Sequence, residues 1–290
     1  MEALHDKISK SVKDFYEKNP FPGFDLNKYK NKEDLYNQAS WYGKLVDSQI
    51  PYGKDVIDVG CGTGQLACFL ALKRRNVVGV DFSENSIADA ISIKEKFNLE
   101  NVTFKIANVL DLGLPVESFD YVFCNGVLHH TRDPYLGFKN LVKIARKGGF
   151  IFVGLYNTYG RLILKLRRRV VSRFLNEKLK DWVLKKQLGK LEDDRDKRET
   201  WYQDQYVHPH ESCHTISEVL GWFEKNGITY VNSIPPIKIF KPVSSNEKLF
   251  SKKRKNFFYY NKASYLLVQL AWIFTQSAGG GYFIIIGQKK

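Results

Sequence analysis

The chain has 290 residues, 43% of them hydrophobic with 20 Phe and 16 Tyr, which excludes a disordered chain and supports one large α/β domain. A formal net charge of +14 leaves two readings open: an anionic partner such as RNA, an anionic membrane surface or a small anion, or only a soluble basic surface. Cys61, Cys68, Cys124 and Cys213 form no CxxC pair and read as reduced thiols of a cytoplasmic protein, and MEALHDKISKSVKDF lacks the apolar core of a signal peptide.

Residues 1–50 are polar, aromatic and helical in spacing around Ile8, Val12, Phe15 and Tyr16. Asn19-Pro20-Phe21-Pro22-Gly23 breaks that pattern, and a second helical stretch covers 32–50. Residues 51–290 form the main domain. Short apolar strands are predicted over 55–59, 76–80, 102–106, 121–124 and 150–155. Helices are predicted over 64–73, 83–97 and 134–145, with a turn at 147–149. Such alternation implies a parallel, doubly wound sheet with right-handed crossovers.

It stops at a first insertion, 157–205, whose basic helical run 161–198 carries an acidic patch at Glu192-Asp193-Asp194. A helix over 215–225 and a strand over 228–234 resume it, and a lysine-rich stretch over 235–262 reads as a second insertion. Residues 263–288 hold no charge, but Gln269, Thr275, Gln276, Ser277 and three glycines favour a buried helix, a turn and a strand over 282–286 rather than a membrane span. The expected fold is α/β: a doubly wound seven-stranded sheet, mostly parallel with an antiparallel C-terminal strand, plus an N-terminal helical lid and a helical insertion.

After the first strand, VIDVGCGTG places glycines at Gly60, Gly62 and Gly64, where the first βα turn meets ligands. A dinucleotide fingerprint would read GxGxxG; here Gln65 follows and Asp58 precedes, and a carboxylate there suits an ammonium or sulfonium better than a pyrophosphate. Asp81 ends the second strand, where an acid accepts ribose hydroxyls.

VIDVGCGTG resembles motif I of class I S-adenosylmethionine-dependent methyltransferases, and GVDFSENSI resembles their motif II region. KIANVLDLGLPVESFDYVFCNGVLHH and LVKIARKGGFIFVGLY resemble the adenine loop with the fourth strand, and the turn with the fifth. The resemblance covers 54–156. It implies S-adenosyl-L-methionine as cofactor, with Gly60, Cys61, Gly62 and Gly64 under the methionine and ribose and Asp58 near the amino group. It places Asp81 on the ribose, Phe82, Asn108 and Val109 at the adenine, and Asn125 and Gly126 at the methionine. Asn108 stands where the family often has Asp.

Methyl transfer from a sulfonium is an in-line displacement, so the protein aligns the acceptor and excludes water, and a weakly acidic acceptor needs a base. His129 and His130 follow the fourth strand at the reacting edge, with His130 the catalytic candidate. YVHPHESCHT adds Tyr206 and His210 as further catalytic candidates and His208 and His214 as substrate contacts. Its H-x-H and H-x-x-x-H spacings match no zinc pattern, so no metal is expected. WYQDQYVHPHESCHTISEVLGWFEKNG resembles a segment of bacterial and archaeal methyltransferases of mostly unassigned substrate. Tyr16, in FYEKNPFPGFD, is a substrate contact if that segment is a lid rather than a packing strap.

The basic run RLILKLRRRVVSRFLNEKLKDWVLKK leaves a membrane surface, a nucleic-acid backbone, a cover over the acceptor pocket and a plain solvated face all open. The preferred reading is methyl transfer to a small or lipid-like acceptor. An RNA or protein methyltransferase and a non-catalytic cofactor-binding protein are the alternatives.

Overall fold

A computed structural model describes residues 2–23, 26–173, 195–238, 244, 247–251, 262–276 and 279–290. The N-terminal region holds α1 (Glu2–Lys18), α2 (Lys32–Asn37) and α3 (Trp41–Asp47). The core follows as β1 (Asp55–Val59), α4 (Gln65–Ala71), β2 (Asn76–Asp81), α5 (Glu84–Lys96), β3 (Val102–Ile106), β4 (Phe119–Asn125), α6 (Pro134–Ile144) and β5 (Ala145–Tyr156). The last third contains α7 (Leu162–Arg173), α8 (Arg195–Tyr202), α9 (Ile216–Lys225), β6 (Ile228–Ile234), α10 (Lys262–Thr275) and β7 (Tyr282–Lys289).

The seven strands run in the order β3-β2-β1-β4-β5-β7-β6. β1 to β5 are parallel, and β7 lies antiparallel between β5 and β6. Alternate residues supply two cores, as doubly wound packing requires. Ile57, Val122, Ile151 and Ile285 face α6, α9 and α10, while Val56, Phe123, Phe152 and Ile284 face the other side with α4. The strand order reverses between β1 and β4, and that switch opens a crevice at their carboxyl ends.

Three expectations about elements change. The helical stretch at 32–50 is two helices, because the Ser40 hydroxyl caps α3 by accepting from the Gly43 N–H at 3.0 Å. The turn at 147–149 is an irregularity inside β5: Phe119 pairs with Ala145 and Tyr121 with Phe150, and Gly148 takes the slack at φ 76°. The uncharged helix α10 is buried on one face only, through Tyr265, Val268, Gln269 and Trp272, while Leu267 is 55% exposed. No helix among the described residues is long and apolar enough to cross a membrane. Residues 174–194, with the acidic patch, and most of 239–261 lie outside the described residues.

The N-terminal region is fastened to the core at two ends. Glu17 caps α5, its carboxylate accepting from the N–H groups of Glu84 (2.8 Å) and Asn85 (3.1 Å). These bonds hold the Glu17 carboxyl below the ordinary glutamate range, against the opposing pull of partial burial. Below α3, Arg75 is fully buried. It donates to the Asp47 carboxylate at 2.6 Å and to the carbonyls of Asp47, Ile50 and Leu70 at 2.8, 2.6 and 3.1 Å. One side chain therefore ties the end of α3 to α4 and β2.

Breaking that pair should leave the buried Asp47 carboxylate with Lys73, at 2.6 Å, as its remaining ion-pair partner, and the carbonyls of this corner without their donor. Arg75→Met is expected to cost about 3 kcal/mol by chemical denaturation, and Arg75→Met with Asp47→Leu is expected to recover part of the loss. Equal losses in the two variants would show that the carbonyl contacts, not the charge pair, hold this corner.

Candidate active site

A cavity of about 530 Å³ opens at the carboxyl ends of the parallel strands, within the roughly 300–1,000 Å³ usual for small-ligand sites. One wall comes from strand ends: Gly60 and Gly62 after β1, Asp81 and Phe82 at β2, Asn108 and Val109 after β3, and Asn125 with Gly126 and Val127 at β4. The acceptor wall comes from elsewhere in the chain, with Tyr16 of α1, His130, Tyr156 at the end of β5, Trp201 of α8, Asp204 and Tyr282.

The glycine loop is shaped by its neighbours. A Cβ on Gly62 would lie 2.1 Å from the carbonyl oxygen of Phe21, and one on Gly60 would lie 2.1 Å from Val127. Both glycines have positive φ, 52° and 72°. The Phe21 carbonyl also accepts from the Thr63 N–H at 3.2 Å, so the N-terminal segment closes directly on the loop. Cys61 and Gly64 support the loop from behind rather than lining the cavity: Gly64 starts α4 at φ 76° against Ala90 and Phe104.

Asp81 is oriented by its own turn. One carboxylate oxygen accepts from the Gly62 N–H at 2.9 Å and the other from the Ser83 N–H at 3.0 Å. Burial pushes its pKa up while these bonds pull it down. Each oxygen retains a lone pair for a ribose hydroxyl. Asp58 is buried below the loop, and burial first, with the Asp81 charge second, lifts its carboxyl to about 7. Asn125 turns its amide nitrogen to the Tyr42 hydroxyl at 3.4 Å, and its buried Oδ1 has no hydrogen-bond partner among the described residues. Asn108 spends its Oδ1 on the Leu110 N–H at 2.9 Å, leaving its NH₂ to face a ligand.

This set fits S-adenosylmethionine. The orphaned Asn125 oxygen is a buried acceptor that an ammonium would satisfy, Asp81 has lone pairs for ribose hydroxyls, and Phe82 with Val109 would give adenine an apolar bed, while Asp58 stands buried behind the lining, where its charge would act on the ammonium from a distance.

Among the histidines, His130 reaches the wall. Its Nδ1 donates to the His210 carbonyl at 2.8 Å, which leaves the lone pair on Nε2. Burial pushes its pKa down to about 4, so the ring is neutral at pH 7. His208 lies against it, with ring centroids 3.7 Å apart and planes tilted by 34°, next to Tyr16. The other candidates stay off the wall. His129 is fully buried against Tyr156, and neither of its ring nitrogens has a partner among the described residues. His214 is held by Ser212 and Glu218 at 2.8 and 2.9 Å, and Thr215, not His214, caps α9. Tyr206 stacks on Tyr202, and His210 contributes its carbonyl rather than its ring. Among the described residues no His, Cys, Asp and Glu group could hold a metal.

The chain beyond β5 supplies residues that sequence reasoning missed. Arg161, read as part of a basic face, is fully buried over the Tyr156 ring and donates to both Glu211 oxygens. That pairing pulls the Glu211 carboxyl down to about 2 against the cost of burial. Asp204 accepts from the Tyr16 hydroxyl at 3.1 Å and from the Gln205 amide at 2.6 Å, and Gln205 also donates to the Tyr156 hydroxyl at 2.6 Å. Tyr156 carried a usable signal, since it ends a strand at the same edge as Asn125. Asp204 carried none, being one acid in an aperiodic run.

Two outcomes test this geometry. Asp81→Ala should weaken S-adenosylmethionine binding by about 1–3 kcal/mol, the cost of unpaired ribose hydroxyls, and calorimetry showing unchanged affinity would displace the site. Asp58 has a folded pKa raised above its unfolded value near 3.9, so the free protein loses stability as pH rises from about 4 to about 7. An ammonium favours the ionised form. Cofactor affinity should therefore rise with pH up to about 7, with proton release, and Asp58→Asn should flatten the profile. A flat profile in the unmodified protein would remove Asp58 from ammonium binding.

Comparison with known proteins identifies the family. Residues 51–227 match the family described as a methyltransferase domain. An uncharacterized protein of Synechococcus sp. is 23% identical over 79% of this chain and 61% of its own length. The ubiquinone biosynthesis O-methyltransferase of Coxiella burnetii is 35% identical over 39% of this chain and 49% of its own. The chain thus spans about half to three fifths of the length of these relatives. The structure of PKMT2 from Rickettsia typhi in complex with AdoHcy superposes with a TM-score of 0.58 at 17% identity, over 88% of this chain and 53% of that one, a likeness of fold. With the match covering more than half of its residues, this chain belongs to the methyltransferase-domain family.

Proposed function

We propose that the protein transfers the methyl group of S-adenosylmethionine to a small acceptor bound between the strand-edge wall and the wall of Tyr16, His130, Tyr156 and Asp204. The supporting observation is that both walls belong to one cavity of about 530 Å³, so cofactor and acceptor share a limited space. What remains beside the cofactor suits a small molecule or a single side chain. Among the described residues, the lining holds no lysine or arginine despite the net charge of +14, which disfavours an RNA backbone threaded through the site.

The bound cofactor supplies an electrophilic methyl on a sulfonium. The chain's residues do the rest. Asp81, Asp58 and Asn125 fix the donor. Tyr16, next to the Glu17 cap of α5 and bonded to Asp204 at 3.1 Å, places α1 as a cover that keeps water away. His130 presents an Nε2 lone pair whose tautomer the His210 carbonyl sets, so it accepts a proton from an acceptor group. In this reading residues 1–50 are a lid, and the segments 157–205 and 235–262 are insertions in the domain over 51–290. The four free cysteines suit a reducing, cytoplasmic setting.

Incubation of the protein with methyl-labelled S-adenosylmethionine and a cell extract should put label in the low-mass fraction. His130→Ala should cut that label by about 10²-fold or more while leaving cofactor affinity intact. Label confined to the RNA fraction, or unaltered turnover in His130→Ala, would contradict this assignment, and label confined to the protein fraction would replace the small acceptor by a single side chain.

A further inference from the structure

The charges on the cavity wall are the reverse of those on the chain as a whole. The acidic side chains that line it are Asp81 and Asp204, and no lysine or arginine lines it among the described residues. Asp81 belongs to the cofactor half. Asp204 belongs to the acceptor half, on the π-helical turn Gln203–Val207 that follows α8, and is 5% exposed.

Its hydrogen-bond partners are neutral. Tyr16 donates at 3.1 Å to one oxygen, while Tyr156 (3.4 Å) and Gln205 (2.6 Å) donate to the other. Arg161, the nearby buried cation, is spent on Glu211 and Gln205. The basic nitrogen facing Asp204 is His130 Nε2, 4.0 Å from the carboxylate, and that nitrogen carries a lone pair because Nδ1 donates to the His210 carbonyl. A buried carboxylate without a cation is costly, and one oxygen here accepts a single hydroxyl.

The wall thus offers two proton acceptors 4.0 Å apart, among the rings of Tyr16, Phe82, Tyr156, Trp201 and Tyr282. A hydroxyl has one hydrogen and satisfies one of the pair. A carboxylate or phosphate would set an anion against Asp204. A primary ammonium has hydrogens for both, brings the missing positive charge, and is attracted by aromatic faces.

We propose that the methyl acceptor is a primary amine, received as its ammonium ion between Asp204 and His130, with Asp204 the specificity-determining residue. This rests on the methyltransferase reading above. The ammonium gives one proton to His130 Nε2, and the imidazolium formed is stabilised by the adjacent Asp204. The freed nitrogen lone pair forms the N–C bond as the C–S bond breaks, its electron pair going to sulfur to leave a neutral thioether. The product leaves as a secondary ammonium, and His130 returns its proton to solvent. A free small amine and a lysine side chain share this chemistry.

The test uses the full chain loaded with S-adenosylhomocysteine and reads binding by calorimetry. The probes are 2-phenylethylamine, 2-phenylethanol, 3-phenylpropionate and a lysine-containing peptide. At least one amine arm should bind about tenfold or more tighter than the alcohol, with the anion weaker still. Preference for phenylethylamine identifies a free amine, and preference for the peptide identifies a lysine side chain. Asp204→Asn should abolish the preference while S-adenosylhomocysteine affinity stays within about twofold. In parallel, product labelled from a cell extract should be retained on a cation exchanger and survive base, as an N-methylamine does and a methyl ester does not.

Equal binding of alcohol and amine, binding of the anion alone, no binding in any arm, or a base-labile product would overturn the proposal. The comparison of probes on the unmodified protein holds even if Asp204→Asn does not fold. Loss of S-adenosylhomocysteine binding itself would instead sink the methyltransferase reading.

Discussion

The site depends on a backbone approach too close for any side chain. The Phe21 carbonyl lies where a Cβ on Gly62 would be, and Val127 lies where one on Gly60 would be. These contacts bring the N-terminal segment and the end of β4 onto the loop after β1. They set the height of α1, hence the position of Tyr16, and so the distance between the two walls of the cavity. The glycines of this loop therefore serve chain-to-chain closure as well as close approach to a ligand.

A second constraint is the burial of charge. Arg161 crosses behind Tyr156 to Glu211 and draws in Gln205, which holds Asp204 and Tyr156 in turn. Each member is hydrogen-bonded, which is the condition for a polar network to organise a site rather than weaken it. The +14 charge lies away from the described lining: Arg161 and Arg168 are both paired with Glu211 behind the acceptor wall, and Asp204 remains in front. Net charge left an anionic partner and a plain basic surface both open, whereas the local wall favours a cationic ligand.

The sheet and the cofactor half were legible because they follow local rules. Strand alternation, the glycine spacing and the acid at the end of β2 are contiguous in the chain, and their roles follow from topology. The acceptor half joins α1, the end of β5, a π-helical turn and the residues after α10, which meet through contacts of long sequence separation. No periodicity announces such a meeting. The histidine-rich segment attracted attention by density, yet His214 and His210 act through packing and a backbone carbonyl, and Asp204 next to them faces the cavity. Arg161 looked like one cation in a basic run and is instead fully buried, because a partner 50 residues away was out of reach of pattern reading.

The most direct measurement is a crystal structure of the protein grown with S-adenosylhomocysteine. The account predicts the ligand along the carboxyl ends of β1, β2 and β4, with ribose hydroxyls on Asp81, the amino group toward Asp58 and Asn125, and sulfur facing the chamber of Tyr16, His130 and Asp204. Ligand bound outside this crevice, or a crevice left empty at saturating concentration, would contradict it.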